Sequence, residues 1–295
     1  MIKIVSGQSI PVGSTVALAN LCNQLNSRGH ECVFYGPDRW HMDKCLSAPL
    51  SDFRPVNGDI VIAHGIRLHS ASDLDDPAKL AGTSRGGGWR KELEDRIPGV
   101  LAGGTKPDAF RLILTRSGDD PVLTGRPRFS IFHKIHFSCE SQRDRGASRF
   151  SHFVCPDFVR DLEKPAARPE RVAGVIGTVR RENRLETSIE KALRDGMESV
   201  VLYGYMLDPV YFNSNIAPLS KTYPGRIKFA GFVDDPRKMY DSISDVYRCA
   251  ARPWSPVKRE CALTGTRYHG PDTAEADESA SNDSIYEVWK KELDL

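Results

Sequence analysis

The sequence has no long apolar run. Its opening Met-Ile-Lys-Ile-Val turns polar at Ser6, too short a stretch for the apolar region of a signal peptide and far too short to span a bilayer. A cytoplasmic protein without a membrane span is expected. It also lacks a cysteine pattern: Cys22, Cys32, Cys45, Cys139, Cys155, Cys249 and Cys261 are seven, scattered and never C-x-x-C, which points away from a zinc site or a disulfide framework and toward buried free thiols. Charge of one sign is not in excess either. Lys and Arg number 41 against 39 Asp and Glu, a net +2, so no global field draws the chain to nucleic acid or membrane. Finally, the loop Ser6 to Gly13 carries Gly7 and Gly13 but no G-x-G-x-x-G. A dinucleotide fingerprint is therefore missing, and a dehydrogenase is disfavoured.

What is present is an ordinary globular composition, 40% hydrophobic and 27% charged over 295 residues, a length suited to two domains. Residues 2–5 predict a strand. Leu18, Leu21, Cys22 and Leu25 then fall at helical spacing, Arg28-Gly29-His30 closes the helix, and 31–35 predict a second strand. Further strands are predicted at 59–63, 110–114, 129–133 and 150–154. Between Leu162 and Arg171 the sequence Glu-Lys-Pro-Ala-Ala-Arg-Pro-Glu carries Pro165 and Pro169 and little apolar material, which is a linker composition. After it the pattern restarts: strand at 172–176, polar loop to Asn183, helix with Leu185, Ile189, Ala192 and Leu193, strands at 199–202 and 227–230, and Asp235-Pro236 as a helix start. Two βαβ blocks predict two α/β domains, 1–163 and 171–295, each with a parallel sheet. Ligands in such sheets sit at the carboxyl ends of strands.

The loops after strands supply the candidate residues. Ser6 to Gly13 lets an anion approach backbone N–H groups at a helix start, or is a tight turn only. Gly177 to Arg184 holds Arg180, Arg181 and Arg184 before a helix N-terminus, an arrangement suited to a diphosphate because guanidinium groups grip phosphate oxygens in pairs. An exposed basic loop is the alternative. His133 and His136 flank Lys134, so alternation turns them to opposite faces, and His133, at the end of the run from Phe129, is expected to face the site as its catalytic residue. Asp73 and Asp75 have the spacing of a metal-binding pair but read as a solvated acidic loop. No metal is expected. The Arg- and Gly-rich stretch from Arg85 to Arg149 is a solvated surface or a face for a polyanion.

The segment from Val175 to Gly270 resembles the nucleotide-binding half of family 4 glycosyltransferases. The likeness is carried by Ile-Gly-Thr-Val with Asn-Arg, Ser-Ile-Glu-Lys-Ala-Leu, Val-Leu-Tyr-Gly, Ile-Lys-Phe-Ala-Gly-Phe-Val-Asp-Asp and Lys-Met-Tyr. Arg28-Gly29-His30-Glu31 adds a looser match in the first half. The resemblance implies a GT-B fold, two Rossmann-like domains facing each other across a cleft. It implies a donor site that includes Gly7, Gly13, Tyr203, Gly204 and Glu260, with Glu260 on the nucleotide ribose and a histidine, His133, near the donor sugar; the family's phosphate-loop Arg and Lys fall on Thr178 and Asn183, so Arg180 and Arg184 stand in for them. Two glutamates eight positions apart are usual in the family; here Arg252 stands at the first position and Glu260 at the second. The implied activity is transfer of a sugar from a nucleotide sugar such as a UDP-sugar to an acceptor hydroxyl, with retention, without metal and without a cofactor. The acceptor is a glycan, a protein or DNA. A viral-type DNA-modifying glucosyltransferase and a catalytically inactive GT-B nucleotide-binding protein are the alternatives.

Overall fold

The structure, a computed structural model, describes residues 1–6, 13–36, 44–64, 108–116, 132–140, 143, 150–250, 255–271 and 280–295. Gly7, Asp73, Asp75, Arg252 and most of the basic stretch lie outside these. The chain divides into two compact units, one of residues 1–158 together with 280–295, the other of residues 159–279.

The first unit is built on seven parallel strands: β1 (Ile2–Ser6), β2 (Cys32–Gly36), β3 (Ser47–Pro49), β4 (Ile60–His64), β5 (Arg111–Arg116), β6 (Lys134–Phe137) and β7 (His152–Val154), in the order β3-β2-β1-β4-β5-β6-β7. The order reverses between β1 and β4. All five residues of β1 are buried, as expected of a strand covered on both faces. Helix α1 (Gly13–Ser27) packs Leu18, Leu21, Cys22 and Leu25 against Ile2, Ile4 and Phe34. It ends at Gly29, whose φ of 85° is the left-handed conformation that a helix terminus favours in glycine. At the amino end of the sheet Lys3 and Asp59, 6% and 3% exposed, form an ion pair of 2.5 Å.

The second unit is smaller. Its strands β8 (Val172–Ile176), β9 (Ser199–Tyr203), β10 (Ile227–Gly231), β11 (Asp245–Tyr247) and β12 (Arg267–His269) run parallel in the order β10-β9-β8-β11-β12. Helix α2 (Leu185–Arg194) covers β8, β9 and β11 with Leu185, Ile189, Ala192 and Leu193. Helices α3 (Pro236–Asp241) and α4 (Val257–Thr264) bury Met239, Tyr240, Val257 and Cys261 in a second cluster. Asp235 caps α3 by accepting from the N–H of Arg237. The stretch 162–171 is no free linker. Arg168 donates to the carbonyls of Thr264 and Gly265 at the end of α4, and Arg171 to that of Gly196 after α2. Guanidinium groups thus satisfy carbonyls that a helix end leaves open.

Two expectations are corrected. The second domain does not run to residue 295, because the final helix α5 (Asn282–Leu293) belongs to the first unit. Its Ile285, Trp289 and Leu293 are buried beside Ile113, Phe153 and Phe158, Lys134 pairs with Glu292 at 2.9 Å, and Arg111 holds Asp294 and the carbonyl of Leu293. Of the strand expected at 129–133, residues 129–131 lie outside the described residues, Phe132 and His133 precede the strand, and β6 begins at Lys134. The polar Lys134 and His136 fit a strand because Lys134 reaches Glu292 and His136 finds partners inside.

Candidate active site

In parallel sheets the carboxyl ends of the strands converge on the ligand, most of all where strand order reverses. In the second unit that place lies between β8 and β11, so the loop after β8 is central. Gly177 and Val179 donate to the carbonyls of Tyr203 and Tyr205, while Leu207 and Asp208 donate back to Val179. The loop is laced to the segment after β9. Gly204 makes this possible: its φ is 152°, and a Cβ there would lie 1.9 Å from the carbonyl oxygen of Gly177. No other residue fits without parting the two loops.

That loop presents Arg180 and Arg184 just ahead of α2. Arg184, exposed and left-handed at φ 47°, is the N-cap of the helix. Arg180 is half-buried, and its Nε is enclosed without a hydrogen-bond partner, the Glu182 carboxylate lying 3.8 Å away. A buried unsatisfied donor costs about 1–3 kcal/mol, so an anion that accepted from it would be favoured. Tyr203 is buried with its hydroxyl 2.7 Å from that of Ser242. Its side chain is therefore engaged inside the unit, and only its backbone takes part in the loop.

Glu260 stands in the first turn of α4, as expected at a helix start. Its Oε2 accepts from the Tyr240 hydroxyl at 2.8 Å. Burial pushes the carboxyl above its ordinary value, while the Tyr240 hydroxyl and the charges of Arg160, Arg259 and Arg248 pull it back. Three arginines lie near enough for their charge to act on the carboxylate, a positive setting that suits an anionic ligand.

In the first unit His133 is not where its expected role requires. It precedes β6 and so lies at the amino end of that strand, with its Nδ1 accepting from the N–H of Leu112. The residues at the carboxyl side are His64, Thr115 and His136. His136 is 1% exposed, its Nδ1 2.8 Å from the Thr115 hydroxyl and its Nε2 2.7 Å from the carbonyl of Cys155. The carbonyl accepts only, so Nε2 carries the proton and Nδ1 receives the one from Thr115. Burial lowers its pKa to about 4. The ring is neutral, fully partnered and packed on Phe153 and Trp289 at 5.0 and 4.7 Å. It is a keystone of the core. His64 contacts Ser6 at 3.3 Å and, with Ser14, Thr115, His136, Asp157 and Trp289, lines a cavity of about 10 Å³, room for about one water. Gly13 opens α1 nearby in sequence, with nothing within 4 Å of a Cβ built on it.

Two parallel-sheet units of Rossmann type in one chain constitute the GT-B fold, and solved structures of that fold superpose on nearly all of the chain. Anabaena HepE in complex with UDP-glucose matches with a TM-score of 0.59 at 10% identity, over 99% of this chain and 90% of that one. An α-glucosyltransferase in complex with UDP and a 13-mer DNA containing a central A:G mismatch matches with 0.60 at 11% identity, over 91% and 78%. WaaG, a glycosyltransferase involved in lipopolysaccharide biosynthesis, matches with 0.52 at 10% identity, over 100% and 91%. No family model and no curated protein matches the sequence. Among the described residues no helix is long and apolar enough to cross a membrane.

Proposed function

We propose that the protein is a glycosyltransferase of the family 4 kind, moving a sugar from a nucleotide sugar to an acceptor hydroxyl, with retention and without a metal. The observation that carries this is the arginine loop at the start of α2, welded in place through Gly204 and holding an Arg180 Nε that makes no hydrogen bond, with the Glu182 carboxylate 3.8 Å away. Arg180 and Arg184 grip the diphosphate. Glu260 accepts from the ribose hydroxyls, a role suited to an ionised carboxylate, which accepts only and can take both. Positive charge that binds the departing diphosphate lowers the barrier to its release. Structures of this fold with UDP-glucose or UDP bound are consistent with such a donor. In the first unit Gly13 at the start of α1 and His64 at the carboxyl end of β4 stand beside that sheet's own reversal of strand order, and His64 replaces His133 as the candidate histidine of that unit, while Gly7 lies outside the described residues.

Calorimetry tests the assignment. Replacing both Arg180 and Arg184 with alanine is expected to weaken uridine diphosphate about 100-fold while uridine binding falls far less, because two charge-assisted contacts go with the phosphates. Equal losses for both ligands sink the diphosphate role. Turnover of UDP-sugars is expected to survive a chelator. A DNA acceptor is the second reading, favoured by the match to a DNA-bound α-glucosyltransferase. Transfer of labelled sugar to hydroxymethylated DNA, against glycan and protein acceptors, decides between them.

A further inference from the structure

Glu260 does not stand alone on its helix. Tyr240, on α3, has no exposed surface, and its ring is held among Met239, Ile243, Val246 and Val257. A phenol so enclosed keeps its hydroxyl only with a partner, and that hydroxyl lies 2.8 Å from Oε2 of Glu260. Burial and the neighbouring Glu260 charge raise the Tyr240 pKa well above its ordinary value, so the phenol stays a donor throughout the workable pH range. One oxygen of the carboxylate is thereby tied to α3, and the other is left for a ligand.

We propose that Tyr240 is a positioning residue of the nucleotide site, its hydroxyl fixing the Glu260 carboxylate so that the remaining oxygen meets the ribose. This rests on the assignment of Glu260 to the ribose. The groups that face Glu260 are Tyr240 from α3, Arg259 and Cys261 from α4, Arg248 from the segment after β11 and Arg160 from the segment before β8. The arginines supply charge from several sides. Tyr240 alone among them supplies a neutral, buried and directional hydrogen bond. Its loss frees the side chain to rotate and also favours the protonated carboxyl, which presents a proton where the ribose needs an acceptor.

The test is calorimetric titration with uridine diphosphate from about pH 5 to pH 8 on the full chain, as wild type, Y240F, E260Q and the double variant. Y240F is expected to bind about tenfold more weakly at neutral pH and to lose binding at a higher pH on acidification. In the E260Q background it is expected to cost nothing further, since an amide whose oxygen is held by Tyr240 turns its NH2, a donor, to the ribose, so that fixing it gains nothing. Loss of packing alone would weaken binding equally in both backgrounds and leave the acid limb unmoved, and either result overturns the proposal. If E260Q loses binding while Y240F matches wild type, the role of Tyr240 fails and that of Glu260 stands. If E260Q binds as wild type, the ribose assignment itself fails. A chain with 3-fluorotyrosine at position 240 keeps the ring and donates more strongly, so its acid limb is expected at lower pH than wild type; an unmoved limb there also overturns the proposal.

Discussion

His136 shows how much a single buried ring governs. Its folded pKa of about 4 lies below the ordinary 6.5, so on acidification the unfolded chain takes up a proton before the folded one does. The stability this gives is complete above about pH 6.5 and declines as pH falls toward 4, by about 3 kcal/mol in all. Urea melts at pH 7 and pH 4.5 measure it. His136→Gln is expected to be less stable at neutral pH but to lose most of that histidine's share of the decline; an unchanged pH slope would show that other groups set it. In the sequence the choice between His133 and His136 turns on alternation, which is sound, and on a strand end placed too early. Of the described residues, the apolar Phe132 precedes the strand, which forms where Lys134 and His136 are satisfied by Glu292 and by Thr115 and Cys155. Those partners are far apart in sequence. The place of Glu260, Arg180 and Arg184 at helix starts is legible because it follows from a local order of strand, loop and helix. Tyr240 as the partner of Glu260 is not, since twenty residues separate them.

At the scale of elements, the long periodic segments and the capped ones are readable. Gly29 and Gly196 terminate α1 and α2 in left-handed conformation, and Asp235 with Pro236 opens α3. The three-residue strands β3, β11 and β12 give too short a pattern to see, and β11 begins with a charge. That charge is Asp245, 1% exposed, which takes Nε and Nη2 of Arg267 and the ring of His269 at 2.7 Å. Although burial would raise it, these bonds and one from Ser244 hold its pKa at about 2. The edge strand β12 is fastened to β11 by side chains as much as by its ladder. Helix α5 escapes a sequence reading for another reason: its amphipathic face reads plainly, but nothing local tells which sheet it covers. Trp289, 2% exposed, sits between Phe153 and His136. Trp289→Ala is expected to cost about 3–5 kcal/mol through the cavity it leaves, seen as a fall in the melting temperature. A loss under about 1 kcal/mol, the ordinary size of a surface change, would mean that α5 is dispensable to the first unit.

For the whole molecule, the return of α5 makes the second unit an insertion within the first. Residues 159–279 carry their own five-stranded sheet and two apolar clusters. Expressed alone, that segment is expected to melt cooperatively and to bind uridine diphosphate, because the arginine loop, Tyr240 and Glu260 all lie within it. Residues 1–158 alone are expected to expose Phe153 and Phe158 and to show no sharp transition, which dye binding and calorimetric melting would reveal. A cooperative melt of 1–158 would contradict the part given to α5.

The same threading sets an order of events on the ribosome. The first sheet is translated before any of the second, yet the helix that covers it follows residue 279. While 159–279 are being made, the apolar surface meant for Ile285, Trp289 and Leu293 waits in an unfinished state. The unit begun second is the first that can close, and the unit begun first depends on a helix that leaves the exit tunnel only afterward. Synthesis that pauses before residue 282 therefore holds the nascent chain where ribosome-associated chaperones, which bind exposed apolar surface, have most to protect.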